Sequence, residues 1–322
     1  MDTNTTKPAA PTRLIQLPLL AREAGVASVW VKAECDRPLG NFKSLGGTAA
    51  ALKALARAGS EASRTTLICA SDGNHGLAVA AAATAAGAHA RIFLPAGATP
   101  VRVARIAAQG AQVETVHGTY DDAVTEAAAA AARGEGILVS DTSDDPDDRG
   151  VRDVMRGYAQ LAREVLQQTQ GHALPTHVFA QAGVGGLAAA LAEGLMAHLR
   201  DPARLVVVEP ERAACVAAGL RVGHPVTVTG DLETCAEMLS CGTASAAALD
   251  ILLRFGASSV AVDEAALLSA PATLANCGGP PTTPSGAAGV AGLLHVAHRD
   301  ALRAAHRLGS DSSVLLVVSE GA

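Results

Sequence analysis

Aromatic residues are scarce: one Trp, two Tyr and four Phe among 322 residues. A core of ordinary size must then be filled by alanine, valine and leucine. The material is available, because 49% of the chain is apolar and only 17% is charged. The length allows one large domain or two ordinary ones. Lysine and arginine form no run, and the formal net charge is −6, which argues against a nucleic-acid partner. No Cys-x-x-Cys or Cys/His ligand spacing occurs among the cysteines at 35, 69, 215, 235, 241 and 277, so no metal site is expected. His295 and His298 share a helical face without a carboxylate at metal-site spacing, which reads as a solvated helix surface. The alanine-rich stretches are broken by Gly, Arg and Asp, so none reads as a membrane span. Met1 to Pro11 is polar and does not resemble a signal peptide. The expected location is therefore cytoplasmic.

The most informative stretch is Gly40-Asn41-Phe42-Lys43-Ser44-Leu45-Gly46-Gly47. Val29 to Glu34 upstream reads as a buried strand with a polar end. Thr48 to Ala58 downstream reads as an alanine-rich helix. Lys43 thus lies where a strand and loop hand over to a helix. An amine there can lose solvation, drop its pKa and form a Schiff base with an aldehyde. A surface lysine at a helix start satisfies the same local pattern.

Strands and helices then alternate with short turns. Strands are expected at 65–70, 90–94, 112–116, 136–140, 177–180, 205–208 and 313–318, and helices at 77–86, 100–109, 120–133, 154–168 and 188–199. This alternation predicts an α/β fold with right-handed crossovers and parallel sheets covered on both faces. Asp141 to Asp153 is an acidic break that reads as a domain seam.

Two strand-to-helix turns carry further chemistry. Gly183-Val184-Gly185-Gly186-Leu187 lets several backbone N–H groups point at one anion, and the following helix adds positive potential. It has neither the Lys-Ser/Thr of a nucleotide P-loop nor the Gly-x-Gly-x-x-Gly dinucleotide spacing. A glycine turn serving only close packing is the alternative. Ser71-Asp72-Gly73-Asn74-His75-Gly76 presents three polar side chains at the carboxyl end of a strand, where ligands sit in such sheets. A capping turn accounts for one of those polar residues but poorly for three.

Together these stretches resemble the fold-type-II pyridoxal-phosphate (PLP) enzymes, the tryptophan synthase β-like group that includes dehydratases and synthases of amino acids. Within it the chain is most similar to the diaminopropionate ammonia-lyases. The likeness is carried by Asp72-Gly73-Asn74-His75-Gly76, Gln181-Ala182-Gly183-Val184-Gly185, Asp141-Thr142, Arg156-Gly157-Tyr158, Val208-Glu209-Pro210 and Cys241-Gly242. It runs from about Thr12 to Ser319.

The resemblance implies two α/β domains with PLP in the cleft between them. Residues 1–45 and 155–322 would form the larger domain and 46–154 the smaller. Lys43 would carry the cofactor as a Schiff base. Asn74 would hydrogen-bond its phenolic oxygen, and Gly183, Val184, Gly185, Gly186 and Leu187 would hold its phosphate. Ser319 would face the pyridine nitrogen, and a neutral partner there favours β-elimination. Asp72 and Asp141 would lie by the substrate, suiting a cationic β-amino group. The implied reaction is elimination of ammonia from 2,3-diaminopropionate, giving pyruvate and ammonia. The implied assembly is a homodimer.

The chain departs from that pattern in four places. It has no counterpart of an N-terminal segment usual in those ammonia-lyases, and it stops at Ala322 where they continue. Ala246-Ala247-Ala248 stands in a stretch of otherwise larger residues. Pro284-Ser285-Gly286 stands where Glu-Ser-Gly is expected. Pro284 keeps open a dehydratase acting on serine or threonine, or a β-replacement synthase. A protein that binds without turnover would need a broken catalytic set, whereas Lys43, Asn74 and the glycine loop are intact. The resemblance also places Cys215 and Cys241 beside the site mouth, near enough to bridge. Two separate buried thiols are the alternative.

Overall fold

The computed structural model describes residues 10–71 and 73–322. Ten strands occur among them: β1 (Leu14–Gln16), β2 (Ser28–Ala33), β3 (Thr66–Ala70), β4 (His89–Pro95), β5 (Gln112–Val116), β6 (Ile137–Leu138), β7 (His177–Gln181), β8 (Arg204–Pro210), β9 (Ser258–Val262) and β10 (Ser313–Val318). They form a six-stranded sheet, β1-β2-β10-β7-β8-β9, and a four-stranded sheet, β5-β4-β3-β6. Among these ten strands only β1 with β2 pairs antiparallel. The fold is the expected α/β pair of mostly parallel sheets covered by helices. β7 and β10 are buried at every position, which is why each carries a continuous apolar stretch, 178–180 and 314–318, rather than an alternating pattern. No described helix is long and apolar enough to cross a membrane.

This topology gathers the marked turns. β2, β10 and β7 are adjacent and parallel. Their carboxyl ends therefore deliver the Lys43 loop, Ser319 and the Gly183 loop to one edge of the larger sheet. In the smaller sheet β3 and β6 are adjacent and deliver Asn74 and Asp141 in the same way.

Several boundaries differ from the sequence expectation. The Lys43–Ala58 helix starts five residues early, so Gly46 and Gly47 lie inside it. Glycine weakens a helix by about 0.5–1 kcal/mol relative to alanine, so a reason is required. Packing supplies it. A Cβ on Gly46 would lie 2.3 Å from the Tyr158 ring, and one on Gly47 would lie 2.7 Å from Ala78 Cβ. The two glycines let this helix press against Arg149–Gln168 on one side and Asn74–Ala85 on the other. The latter helix begins at Asn74, with Gly73 at its N-cap. β6 has two residues rather than five, because the Ser140 hydroxyl turns the chain by donating to Thr142 O at 2.6 Å. The acidic break supplies Asp148, which caps Arg149–Gln168 by accepting from Val151 N at 3.0 Å. The expected domain limits at 45/46 and 154/155 fall inside two of these packed helices.

A buried ionic cluster braces the lead-in to Lys43. Lys32, Glu34, Arg37 and Glu164 are all under 5% exposed. Glu164 accepts from Lys32 at 2.7 Å and from Arg37 at 2.6 Å, and Arg37 also donates to Glu34 at 2.8 Å. Arg37 immediately precedes Pro38-Leu39-Gly40, where Leu39 and Gly40 take left-handed φ of 68° and 73°.

Candidate active site

A cleft opens between the two sheets. Its walls include Lys43, Asn74, Asp141, all five residues from Gly183 to Leu187, and Ser319. The structure thus brings together every expected site residue that it describes. Asp72 lies outside the described residues.

Lys43 Nζ donates to Asp141 Oδ2 at 2.6 Å. Burial alone would lower the Lys43 amine, but the Asp141 charge overrides it and holds the amine above the usual lysine range. Burial would likewise raise the Asp141 carboxyl, and Lys43 holds it below the usual carboxylate range. The two form a charged pair. The Tyr120 hydroxyl donates to the other Asp141 oxygen at 3.5 Å. Beneath the pair, the His75 ring is buried and donates from Nε2 to Val139 O at 2.8 Å. Burial lowers its pKa, so the imidazole stays neutral. Phe42 packs against Tyr158 with ring centroids 4.8 Å apart, which walls the amine on its apolar side.

The Gly183–Leu187 loop has the form of an anion cradle. Gly185 takes φ 96° and precedes the Gly186–Leu195 helix, whose first N–H groups have no side-chain cap. A Cβ at Gly183 would sit 2.9 Å from Cys241 Sγ, and one at Gly185 would sit 3.3 Å from Ala248 Cβ. Bare backbone is therefore required along this wall, and uncapped N–H groups at a helix start suit a phosphate. The Ser319 hydroxyl accepts from Gln181 Nε2 at 2.9 Å. That nitrogen also meets the carbonyls of Gly286 and Val317, which fixes the amide with its nitrogen inward. Ser319 is left with its own proton to donate, which fits an unprotonated ring nitrogen. These features fit a phosphorylated pyridine aldehyde.

Cys215 and Cys241 both meet Gly183. The Cys215 thiol donates to Gly183 O at 3.3 Å, and no disulfide joins the two cysteines. Burial pushes the Cys215 thiol well above the ordinary range, so it acts as a small apolar group with a weak donor. Glu209 of the Val208-Glu209-Pro210 motif stands outside the cleft. It is fully buried and accepts from Val216 N and Ala217 N at 2.7 and 2.8 Å, holding the start of the Cys215–Val222 helix.

The pattern of the pyridoxal-phosphate-dependent enzyme family matches residues 5–320. The chain belongs to the pyridoxal-phosphate-dependent enzymes. Its cofactor is pyridoxal 5′-phosphate, in agreement with the cradle and with the amine at the cleft mouth. Among curated relatives, the diaminopropionate ammonia-lyase of Escherichia coli (strain K12) is 32% identical over 97% of this chain and 84% of the relative. A serine dehydratase-like protein of Mus musculus is 30% identical over 74% of this chain and 68% of the relative. Among solved structures, the Escherichia coli diaminopropionate ammonia-lyase in complex with an aminoacrylate-PLP azomethine reaction intermediate superposes with a TM-score of 0.87. It is 30% identical, covering 98% of this chain and 85% of that one.

Sequence reasoning did not assign roles to Gln181, Tyr158 or Glu320, all of which line the cleft of this enzyme. The first two stood within quoted motifs. Glu320 directly follows Ser319, and that adjacency was its only signal.

Proposed function

We propose that this enzyme eliminates ammonia from 2,3-diaminopropionate, giving pyruvate and a second ammonia. The observation that carries the reading is the Lys43–Asp141 pair at 2.6 Å, set opposite an anion cradle in one cleft. Bound pyridoxal phosphate supplies an electron sink that makes a substrate Cα proton labile. Lys43 would hold the cofactor, Asn74 would meet its phenolic oxygen, residues 183–187 would hold its phosphate, and Ser319 would face its ring nitrogen. Lys43 or Asp72 removes the Cα proton, according to substrate stereochemistry. Asp141 stabilises the resulting Lys43 ammonium, and a β-ammonium group then leaves as neutral ammonia with the three protons it already carries. The Asp141 carboxylate also suits a substrate that arrives with a cationic β-amino group. The same reading assigns residues 1–45 and 155–322 to a larger unit and 46–154 to a smaller one, in a cytoplasmic homodimer. The two sheets support that division, and the absence of any disulfide among the six cysteines is in keeping with a reducing compartment.

One observation favours a hydroxyl-leaving substrate instead. Pro284 opens the Pro284–Ala297 helix where a glutamate is expected, and the adjacent Ser285 hydroxyl is engaged by Met238 N at 3.1 Å. A panel of 2,3-diaminopropionate, serine and threonine, assayed for keto-acid release, separates the two. The ammonia-lyase reading expects the highest kcat/KM on diaminopropionate. A preference for serine or threonine would replace it with the dehydratase reading.

Asp141→Asn keeps the shape and removes the charge. It is expected to lower kcat by about 100-fold, in the range of one general acid–base contribution. The acidic limb of the pH–rate profile should also move to lower pH, because Lys43 must be neutral to take the Cα proton and its burial is then no longer offset by the Asp141 charge. A kcat within about threefold of the parent, with the limb unmoved, would take Asp141 out of the reaction.

A further inference from the structure

Glu320 joins three parts of the site that lie far apart in sequence. Its backbone neighbours clamp the chain just before Lys43: Phe42 N donates to Ser319 O at 3.0 Å, and Gly321 N donates to Gly40 O at 2.9 Å. The Thr282 hydroxyl donates to Glu320 O at 2.5 Å. The residue is 8% exposed and lines the cleft. Asn74 Nδ2 donates to one carboxylate oxygen, and the Thr283 hydroxyl donates to the other at 2.5 Å. Thr283 is itself fixed, because its Oγ1 accepts from Gly286 N at 3.0 Å as the cap of Pro284–Ala297.

Burying a carboxylate among neutral donors costs more than burying an amide, so packing alone does not account for glutamate at this position. An ionised carboxylate can only accept. It therefore fixes which end of the Asn74 amide faces it, and it leaves the second N–H of Nδ2 for another acceptor. We propose that Glu320 is a positioning residue of the cofactor site, turning the Asn74 amide so that its remaining N–H is kept for the bound cofactor. This rests on the reading of Asn74 given under Proposed function.

The test is cofactor affinity, measured by titrating apoprotein with pyridoxal phosphate and following the bound-cofactor absorbance. The variants are Asn74→Ala, Glu320→Ala, the double variant and Glu320→Gln. Glu320→Ala is expected to weaken binding about tenfold, the value of one hydrogen bond to a charged group. The double variant should bind no more weakly than Asn74→Ala alone, because Glu320 acts through Asn74. Glu320→Gln should recover part of the affinity, since its oxygen can accept from Asn74 but, unlike the carboxylate, its amide can also turn its nitrogen toward it. Full additivity of the two alanine changes, or no recovery in Glu320→Gln, would overturn the proposal. An Asn74→Ala variant with parental affinity would remove the reading of Asn74 and this proposal with it. If Glu320→Ala does not fold, a crystal structure of the loaded parent enzyme decides. Asn74 Nδ2 between Glu320 and the cofactor supports the proposal, and Asn74 turned away from Glu320 overturns it.

Discussion

Lys43→Ala is expected to lower turnover by about 10⁴-fold or more, since one side chain both holds the cofactor and moves the proton. The loaded variant should also lose the absorbance of lysine-bound cofactor. A second consequence is independent of catalysis. Asp141 is 6% exposed on its side chain and Lys43 is 25% exposed. Removing the ammonium leaves a buried carboxylate unpaired. The expected loss of apoprotein stability at neutral pH is about 3 kcal/mol, the low end for a broken buried pair because part of Lys43 reaches water. The sign with pH follows from the shifts. The Asp141 carboxyl is depressed in the parent, so its contribution is present above the ordinary aspartate value and lost as pH falls through the depressed one. In the variant the Lys43 charge no longer offsets burial, and that carboxyl rises relative to the parent. The stability gap between parent and variant should therefore close on acidification. Urea unfolding of both apoproteins across pH checks this, and a gap that widens toward low pH would contradict the pairing.

Glu164→Ala is expected to destabilise the protein by about 3–5 kcal/mol, the cost of breaking a buried ion pair from one side. Two cations, Lys32 and Arg37, lose a shared partner, and only Glu34 remains to balance them. The Glu164 carboxyl is pushed up by burial but held down overall by its bonds from Arg37 and Lys32. Its contribution is thus present above the ordinary glutamate value and is lost as pH falls through the lowered one. The parent should accordingly shed stability on acidification more steeply than the variant does. Denaturant midpoints at several pH values measure both effects. The charge-balanced pair Lys32→Met with Glu164→Leu should cost much less than Glu164→Ala alone, because it leaves no cation unpartnered. Equal losses in the two would mean that packing around Glu164, not its charge, braces the lead-in to Lys43.

The parts of the site legible in the sequence are those written in local turns. Lys43, Asn74 and the Gly183–Leu187 loop each sit where a strand hands over to a helix, and such junctions announce themselves in composition. Ser319, at the end of the last buried strand, was legible only through the family resemblance. What was not legible depends on contacts between distant segments. Nothing near Gly46 reveals that its missing Cβ makes room for Tyr158. Nothing near Gln181 reveals that its amide is aimed at Ser319, 138 residues away. The engagement of Asn74 by Glu320 spans 246 residues. The early start of the Lys43–Ala58 helix has the same origin, since helix–helix contact overrides the local cost of two glycines.

The central claim is the elimination of ammonia from a diamino acid, and its most direct test is stoichiometric. The pyridoxal-phosphate-loaded protein is incubated with 2,3-diaminopropionate, and pyruvate and ammonia are quantified together. The expected result is two ammonia per pyruvate, against one per pyruvate when serine is the substrate. No pyruvate above that of the Lys43→Ala variant would contradict the account.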